Sequence, residues 1–101
     1  MAKEIIKVIW NKSALENLDR IFLYISNRSI QGVSIVVEAI EIKIEKLQRF
    51  PEMYPLDKFK NNNDGTYRAF IVFHYRIAYR FKDNTIKIIR IRHTSQEPKL
   101  Y

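Results

Sequence analysis

The chain has 101 residues, which is enough for one domain with a modest hydrophobic core and too few for two domains. It has no cysteine and only two histidines, which excludes a disulfide framework and thiolate chemistry and argues against a zinc site. A net charge of +7 favours a polyanionic or acidic partner, with a merely solubilising surface as the alternative.

The composition and the apolar runs also predict a folded protein and its location. An apolar content of 47% argues against wholesale disorder. The first residues lack the apolar run of a signal peptide, and no stretch approaches the roughly 20 apolar residues of a membrane span. We therefore expect a cytoplasmic protein without a membrane, metal or cofactor requirement.

Residues 4–10 predict a strand, because Ile6, Val8 and Trp10 alternate with the residues between them. Directly after it, Ser13 with Glu16 three residues later predicts a capping box at the start of a helix. A nucleophilic role for Ser13 is the alternative. No histidine lies near Ser13 in the sequence, so the helix cap is the better interpretation.

Two helices are predicted between residues 14 and 49. Asn27 to Gly32 predicts the break between them, and Phe50 before Pro51 predicts the end of the second, because a residue before proline disfavours the α conformation. The helices should form an antiparallel hairpin. Apolar residues recur at helical spacing at Leu15, Leu18, Ile21, Phe22 and Ile25, and again at Val33, Val36, Val37, Ile40, Ile44 and Leu47.

Three antiparallel strands are predicted between Tyr67 and His93, after a surface loop over residues 52–66. Apolar residues alternate with basic or small ones along residues 75–81, which is the two-residue period of a strand. Residues 82–84, Lys-Asp-Asn, predict a tight turn. The doubled Ile88 and Ile89 do not fit one alternation, which suggests a bulge. Which of Arg90, Arg92 and His93 share a face therefore stays open.

This order of elements, β-α-α-β-β-β, predicts an α+β domain over residues 1–101. Both helices should cover one face of a four-stranded antiparallel sheet. The opposite face should carry Arg76 and Arg80 with the small Ala78 between them, as a shallow basic depression. Residues 51–101 hold ten Lys or Arg against five acids, so the positive excess lies in this half of the chain.

The order of elements and several short stretches resemble the RelE/ParE superfamily of bacterial toxins, the plasmid stabilisation family. The stretches are residues 10–18 (WNKSALENL), 47–53 (LQRFPEM), 75–80 (YRIAYR) and 92–94 (RHT). The similarity covers nearly the whole chain. It implies the toxin of a type II toxin–antitoxin system, held inactive in a hetero-oligomer with its cognate antitoxin.

Two activities occur on this scaffold, and the fold does not decide between them. RelE-like members are mRNA interferases that cleave mRNA on the ribosome, and ParE-like members are gyrase inhibitors. Phe70 stands where RelE has a second lysine, and Thr94 where the YoeB-like branch has a tyrosine. Residues 15–18 and 50–53 are more similar to ParE.

The resemblance also implies candidate site residues. Arg76 matches the arginine that RelE-like enzymes place at the scissile phosphate, and Arg68 matches a basic position on the preceding strand. His93 falls close to the catalytic histidine of the YoeB-like branch, and Tyr101 lies roughly where a terminal catalytic tyrosine occurs. Supporting charge for a nucleic-acid or protein target is expected from Arg80, Arg90 and Arg92.

Metal-independent RNA cleavage needs a base, an acid and cations that stabilise the phosphorane. Arg76 and Arg68 would supply the cations, and His93 the acid or base. The structural alternative for Arg76 is a surface arginine paired with an acid of a helix. The structural alternative for His93 is a hydrogen-bonded residue at the end of a strand. A third possibility is a degenerate toxin or a non-toxic basic module that binds nucleic acid alone, with steep salt dependence.

Overall fold

The structure is a computed structural model that describes residues 6–101, so residues 4 and 5 of the predicted first strand lie outside it. The predicted order of elements is confirmed. A short 3₁₀ turn, Thr94–Gln96, follows the last strand. The helices and strands are β1 (Lys7–Trp10), α1 (Lys12–Ser26), α2 (Ile30–Arg49), β2 (Tyr67–Val72), β3 (Tyr75–Lys82) and β4 (Thr85–His93).

The four strands form one sheet in the order β1-β4-β3-β2. Strands β2, β3 and β4 pair antiparallel, as predicted. Strand β1 lies parallel to β4, so the sheet is mixed rather than wholly antiparallel. Parallel neighbours need a long crossover connection, and two helices and two strands separate β1 from β4. Residue alternation carries no information about strand direction.

Strand β4 contains the predicted bulge. Ala78 pairs with Arg90 and Tyr79 with Ile88, which leaves Ile89 without an opposite residue. The extra residue resets the alternation, so that Ile88 and Ile91 are both buried. The bulge also determines the face of the sheet on which the basic residues at the end of β4 lie.

Helix α1 starts at a different cap from the predicted one. The Asn11 side-chain oxygen accepts a hydrogen bond from the Ala14 N–H at 2.7 Å, and Ser13 lies inside the helix. The predicted capping box was therefore wrong. Asparagine caps helices as well as serine does, and the Asn11 N–H is already held by the Ile88 carbonyl at 3.0 Å.

Helix α2 starts earlier than the sequence suggested. Ser29 is its N-cap and accepts a hydrogen bond from the Gly32 N–H at 3.1 Å, so Gly32 belongs to the first turn and not to the break. A Cβ at Gly32 would lie 2.9 Å from the Ile25 Cγ2, so glycine fits the close approach of the two helices. The end before Phe50 and Pro51 is as predicted.

The inner face of the sheet, which carries Ile77 and Tyr79 of β3, packs against both helices. The core also takes Val36, Ile40 and Leu47 from α2. The Tyr79 hydroxyl donates to the Pro51 carbonyl at 2.8 Å, and burial raises the pKa of Tyr79 to about 12. Within residues 6–101, neither helix is long and apolar enough to cross a membrane.

Candidate functional site

The outer face of the sheet is the face opposite the helices, and it carries the predicted basic residues of β3. Side chains alternate between faces along a strand, and directly paired residues share a face. Arg76 pairs with Arg92, Ala78 with Arg90, and Arg80 with Lys87. The outer face therefore brings together four of the predicted site residues, Arg76, Arg80, Arg90 and Arg92.

This face is covered and is not the shallow open depression that the sequence suggested. Ala78 is only 2% exposed and Ala69, its partner on β2, only 4%. The loop of residues 51–66 covers part of it, with a bridge between Leu56 and Arg68 at the edge of β2. Residues 97–101, which we call the C-terminal strap, cover the rest. Periodicity within the strands gave no signal for either cover.

Asp57, in the covering loop, is the buried acid of this face. Its side chain is fully buried and lies 2.9 Å from the Arg76 Nη2. Burial alone would raise the pKa of Asp57, but hydrogen bonds from Tyr101, Arg76 and the Phe59 N–H outweigh it, and the net pKa is lowered. Asp57 is therefore an ionised partner that holds Arg76 in place.

Tyr101 anchors the C-terminal strap on the same carboxylate. Its hydroxyl donates to the Asp57 Oδ2 at 2.5 Å, its N–H donates to the Phe59 carbonyl at 3.1 Å, and its carbonyl accepts from the Asn61 N–H at 2.7 Å. The Arg90 guanidinium lies 3.9 Å above the tyrosine ring. Burial and the neighbouring Asp57 raise the pKa of Tyr101, so the phenol stays protonated and serves as a donor.

Glu97 holds the other end of the strap against the remaining arginines. Its carboxylate lies 3.7 Å from Arg90 and 3.6 Å from Arg92, and its side chain is 8% exposed. Arg90 also donates to the Lys99 carbonyl at 2.6 Å, and Arg92 to the Gln96 carbonyl at 2.9 Å. Arg90 and Arg92 therefore bind the chain's own backbone and carboxylate.

Arg80 is engaged in a similar way by the covering loop. It donates to the Thr66 hydroxyl at 2.9 Å, pairs with Asp64 at 3.1 Å, and stacks 4.9 Å from the Tyr67 ring centroid. Hydrogen bonds from Thr66 lower the pKa of Asp64, which keeps this carboxylate ionised. On the outer face, three carboxylates thus offset most of the charge of four guanidinium groups.

Arg68 and His93, the other two predicted catalytic residues, do not join this cluster. Arg68 pairs with Tyr79 and His93 with Tyr75, which places both on the inner face. Their pairing partners are four residues apart on β3, or roughly 13 Å along the strand. Arg68 donates to the Tyr54 carbonyl at 2.6 Å and so contacts the start of the loop.

His93 lines a cleft between α1 and the end of β4. Its Nδ1 accepts a hydrogen bond from the Ser95 N–H at 3.1 Å and lies 2.7 Å from the Ser95 Oγ. The ring stacks on His74 at 5.8 Å and meets the edge of Tyr75 at 5.5 Å. The structural role predicted as the alternative for His93, a hydrogen-bonded strand end, matches these contacts.

Sequence reasoning missed Asp57, although this residue connects most of the outer face. It is separated by 19 residues from Arg76 and by 44 from Tyr101, so no local spacing announces it. The available signal was a single acid within the mostly apolar segment of residues 53–59 (MYPLDKF). Among residues 6–101, no group of three His, Asp or Glu side chains is arranged to hold a metal ion.

Comparison with known families finds a match over residues 8–98 to the model described as "ParE toxin of type II toxin-antitoxin system, parDE". A comparison with curated protein sequences finds no match. The family match spans all the helices and strands described above except the first residue of β1.

Solved structures of low sequence identity share the fold. A chain of the chromosomal ParDE system from P. aeruginosa has a TM-score of 0.65 at 18% identity, covering 88% of this chain and 96% of that one. A chain of the RelBE2 toxin–antitoxin complex from Mycobacterium tuberculosis has a TM-score of 0.59 at 20% identity, covering 89% and 99%. A chain of the RelB–RelE antitoxin–toxin complex from Methanococcus jannaschii has a TM-score of 0.53 at 20% identity, covering 86% and 91%.

Proposed function

Because the chain belongs to the ParE toxin family of type II toxin–antitoxin systems, we propose that it arrests growth by inhibiting DNA gyrase in the cytoplasm. The inhibition proceeds by protein contact and not by RNA cleavage. A cognate antitoxin neutralises it in a hetero-oligomer. The observation that carries this choice of target is the separation and internal pairing of the residues that a nuclease would use.

A nuclease of this fold needs its cations and its acid or base around one scissile phosphate. Arg76 lies on the outer face, whereas Arg68 and His93 lie on the inner face. A phosphate that contacts Arg76 cannot at the same time contact His93 through the sheet. The three residues therefore do not form one catalytic centre in this arrangement.

The surroundings of Arg76 point the same way. Its guanidinium carries one buried nitrogen, Nε, that has no hydrogen-bond partner among the described residues. A phosphate approaching that nitrogen would still meet the ionised Asp57, 2.9 Å from the Arg76 Nη2. A phosphate and a carboxylate that contact the same guanidinium repel each other strongly where water is excluded. Asp57 thus makes Arg76 a structural cation, which supports inhibition through a protein surface.

An antitoxin partner is supported by two observations. The similar solved structures from P. aeruginosa, M. tuberculosis and M. jannaschii are toxin–antitoxin systems or complexes. The helical hairpin leaves the apolar side chains of Leu23, Ile30 and Ile35 exposed by 66%, 78% and 57%. Covering these side chains would remove apolar area from water on binding.

Expression of the toxin without its antitoxin tests this proposal. We expect growth arrest with double-strand DNA breaks and with unchanged mRNA 5′ ends. Arg76→Lys keeps a cation beside Asp57 but removes the planar fork that suits a phosphate, so it should arrest growth as the wild type does. Arg49→Lys, an exposed substitution of the same kind, is the matched control.

New mRNA ends within translated codons that disappear in Arg76→Lys would overturn the proposal and indicate a ribosome-dependent nuclease. The absence of any arrest, in cells that accumulate folded protein, would instead indicate a degenerate toxin or a non-toxic nucleic-acid-binding module.

A further inference from the structure

The cleft between α1 and the end of β4 is a second candidate site, on the inner side of the sheet and apart from the covered arginines. Its volume is about 510 Å³, within the range of small-molecule sites. Asn17, Arg20 and Tyr24 line it from α1, and Tyr75 and His93 from the strands. Nothing in the proposed gyrase inhibition uses it.

The polar groups of this cleft are mostly hydrogen-bond donors. The Nδ1 of His93 accepts from the Ser95 N–H, which leaves Nε2 as the ring nitrogen that can donate a hydrogen bond. The Asn17 oxygen accepts from the Ile91 N–H at 3.2 Å, which leaves the amide nitrogen of Asn17 as the group it can offer. These two hydrogen bonds hold the side chains of His93 and Asn17 in one orientation.

Arg20 and Tyr75 add to the donors. Arg20 forms no ion pair within residues 6–101, so its guanidinium is uncommitted there. Burial, and then the nearby Tyr24, raise the pKa of Tyr75, so its hydroxyl keeps its proton. Among the described residues, no carboxylate lines the cleft. A set of donors without an acid suits an oxyanion.

The walls of the cleft are aromatic. Tyr24 is 54% exposed and has the Arg28 guanidinium 4.5 Å from its ring centroid, and Tyr75 contributes a second ring that meets His93 edge to face. Nucleobases stack on such rings whatever their sequence, at about 1–3 kcal/mol per base. The site thus combines a flat apolar surface with donors for an anion.

We propose that this cleft binds a nucleoside monophosphate, with Arg20, Asn17 and His93 holding the phosphate and Tyr24 and Tyr75 flanking the base. The shared chemistry is a phosphate monoester joined to a planar base, so the ligand is either a free nucleotide or the 5′-phosphorylated end of a strand. The proposal does not depend on the proposed action on gyrase, because none of these cleft residues is assigned a part in that action.

Titration of the isotope-labelled protein with AMP, adenosine and inorganic phosphate, followed by amide NMR, tests the proposal. AMP should shift the amides of Tyr24, His93 and Ser95 and bind at least tenfold more tightly than adenosine or phosphate alone. Arg20→Gln should weaken AMP at least tenfold. The exposed Arg49→Gln removes the same charge elsewhere and should leave AMP binding unchanged.

Arg20 is exposed, so Arg20→Gln should keep the fold, and the thermal unfolding midpoint checks this. No saturable binding of AMP, equal binding of AMP and adenosine, or equal losses in Arg20→Gln and Arg49→Gln would overturn the proposal. So would amide shifts confined to the outer face. A 5′-phosphorylated hexanucleotide that binds better than AMP, and loses this with a 5′-hydroxyl, identifies a strand end as the ligand; AMP binding better identifies the free nucleotide.

Discussion

Asp57 shows how much a single residue can decide in this molecule. Its carboxylate accepts hydrogen bonds from Arg76, Tyr101 and the Phe59 N–H, so it connects β3, the covering loop and the C-terminal strap. A buried charge is tolerated only when such partners replace water. The sequence predicted Arg76 and Arg80 on this face, because strand alternation shows them as a pattern. It did not indicate their acid, because contacts between distant residues leave no local pattern.

Replacing Asp57 by asparagine should lower the free energy of unfolding by about 3 kcal/mol at pH 7, because it leaves the Arg76 guanidinium without its buried charge partner. The difference from wild type should shrink in acid. Folding lowers the pKa of Asp57 below 3.8, so its contribution is complete above that value and is lost as the pH falls through the folded-state pKa.

Urea unfolding of the wild type and Asp57→Asn at pH 7 and at pH 3 measures both effects. Asp83→Asn, at an exposed turn position with positive φ that asparagine tolerates, is the matched control and should change little at either pH. A difference between the wild type and Asp57→Asn that is unchanged or larger at pH 3 would show that Asp57 is not held ionised.

At the level of secondary-structure elements, periodicity predicted every helix and strand and missed the details that depend on contacts. The caps are the clearest case. Ser13 and Glu16 have the spacing of a capping box, but Asn11 caps α1 because its backbone is already bound to Ile88 of β4. The start of α2 also differs from the prediction because of a contact between elements. Gly32 fits beside Ile25 of α1 and so does not mark the break between the helices.

Asn11→Ala should therefore destabilise the protein by about 1 kcal/mol, through loss of the hydrogen bond to the Ala14 N–H. Ser13→Ala, two residues on and exposed, should leave stability unchanged or slightly raise it, because alanine favours helix interiors. Thermal or urea unfolding of the two variants decides the point. A larger loss of stability in Ser13→Ala than in Asn11→Ala would show that the capping box forms after all.

At the scale of the whole molecule, the sheet has two faces with different chemistry. The sequence predicted that one face would be basic, and the register confirms which arginines lie on it. It did not resolve the side of His93, because the bulge at Ile89 shifts the alternation by one residue. It also did not reveal that the loop and the strap cover the arginines. The separation of Arg68 and His93 from Arg76 follows from the strand pairing, and the proposed action through a protein surface rests on it.

Purified toxin added to DNA gyrase in a supercoiling assay is the decisive test of the proposed target. We expect the toxin to block supercoiling and leave cleaved DNA, Arg76→Lys to do so to the same extent, and neither protein to cut mRNA on translating ribosomes. Unimpaired gyrase together with mRNA cleavage that Arg76→Lys abolishes would contradict the proposed target.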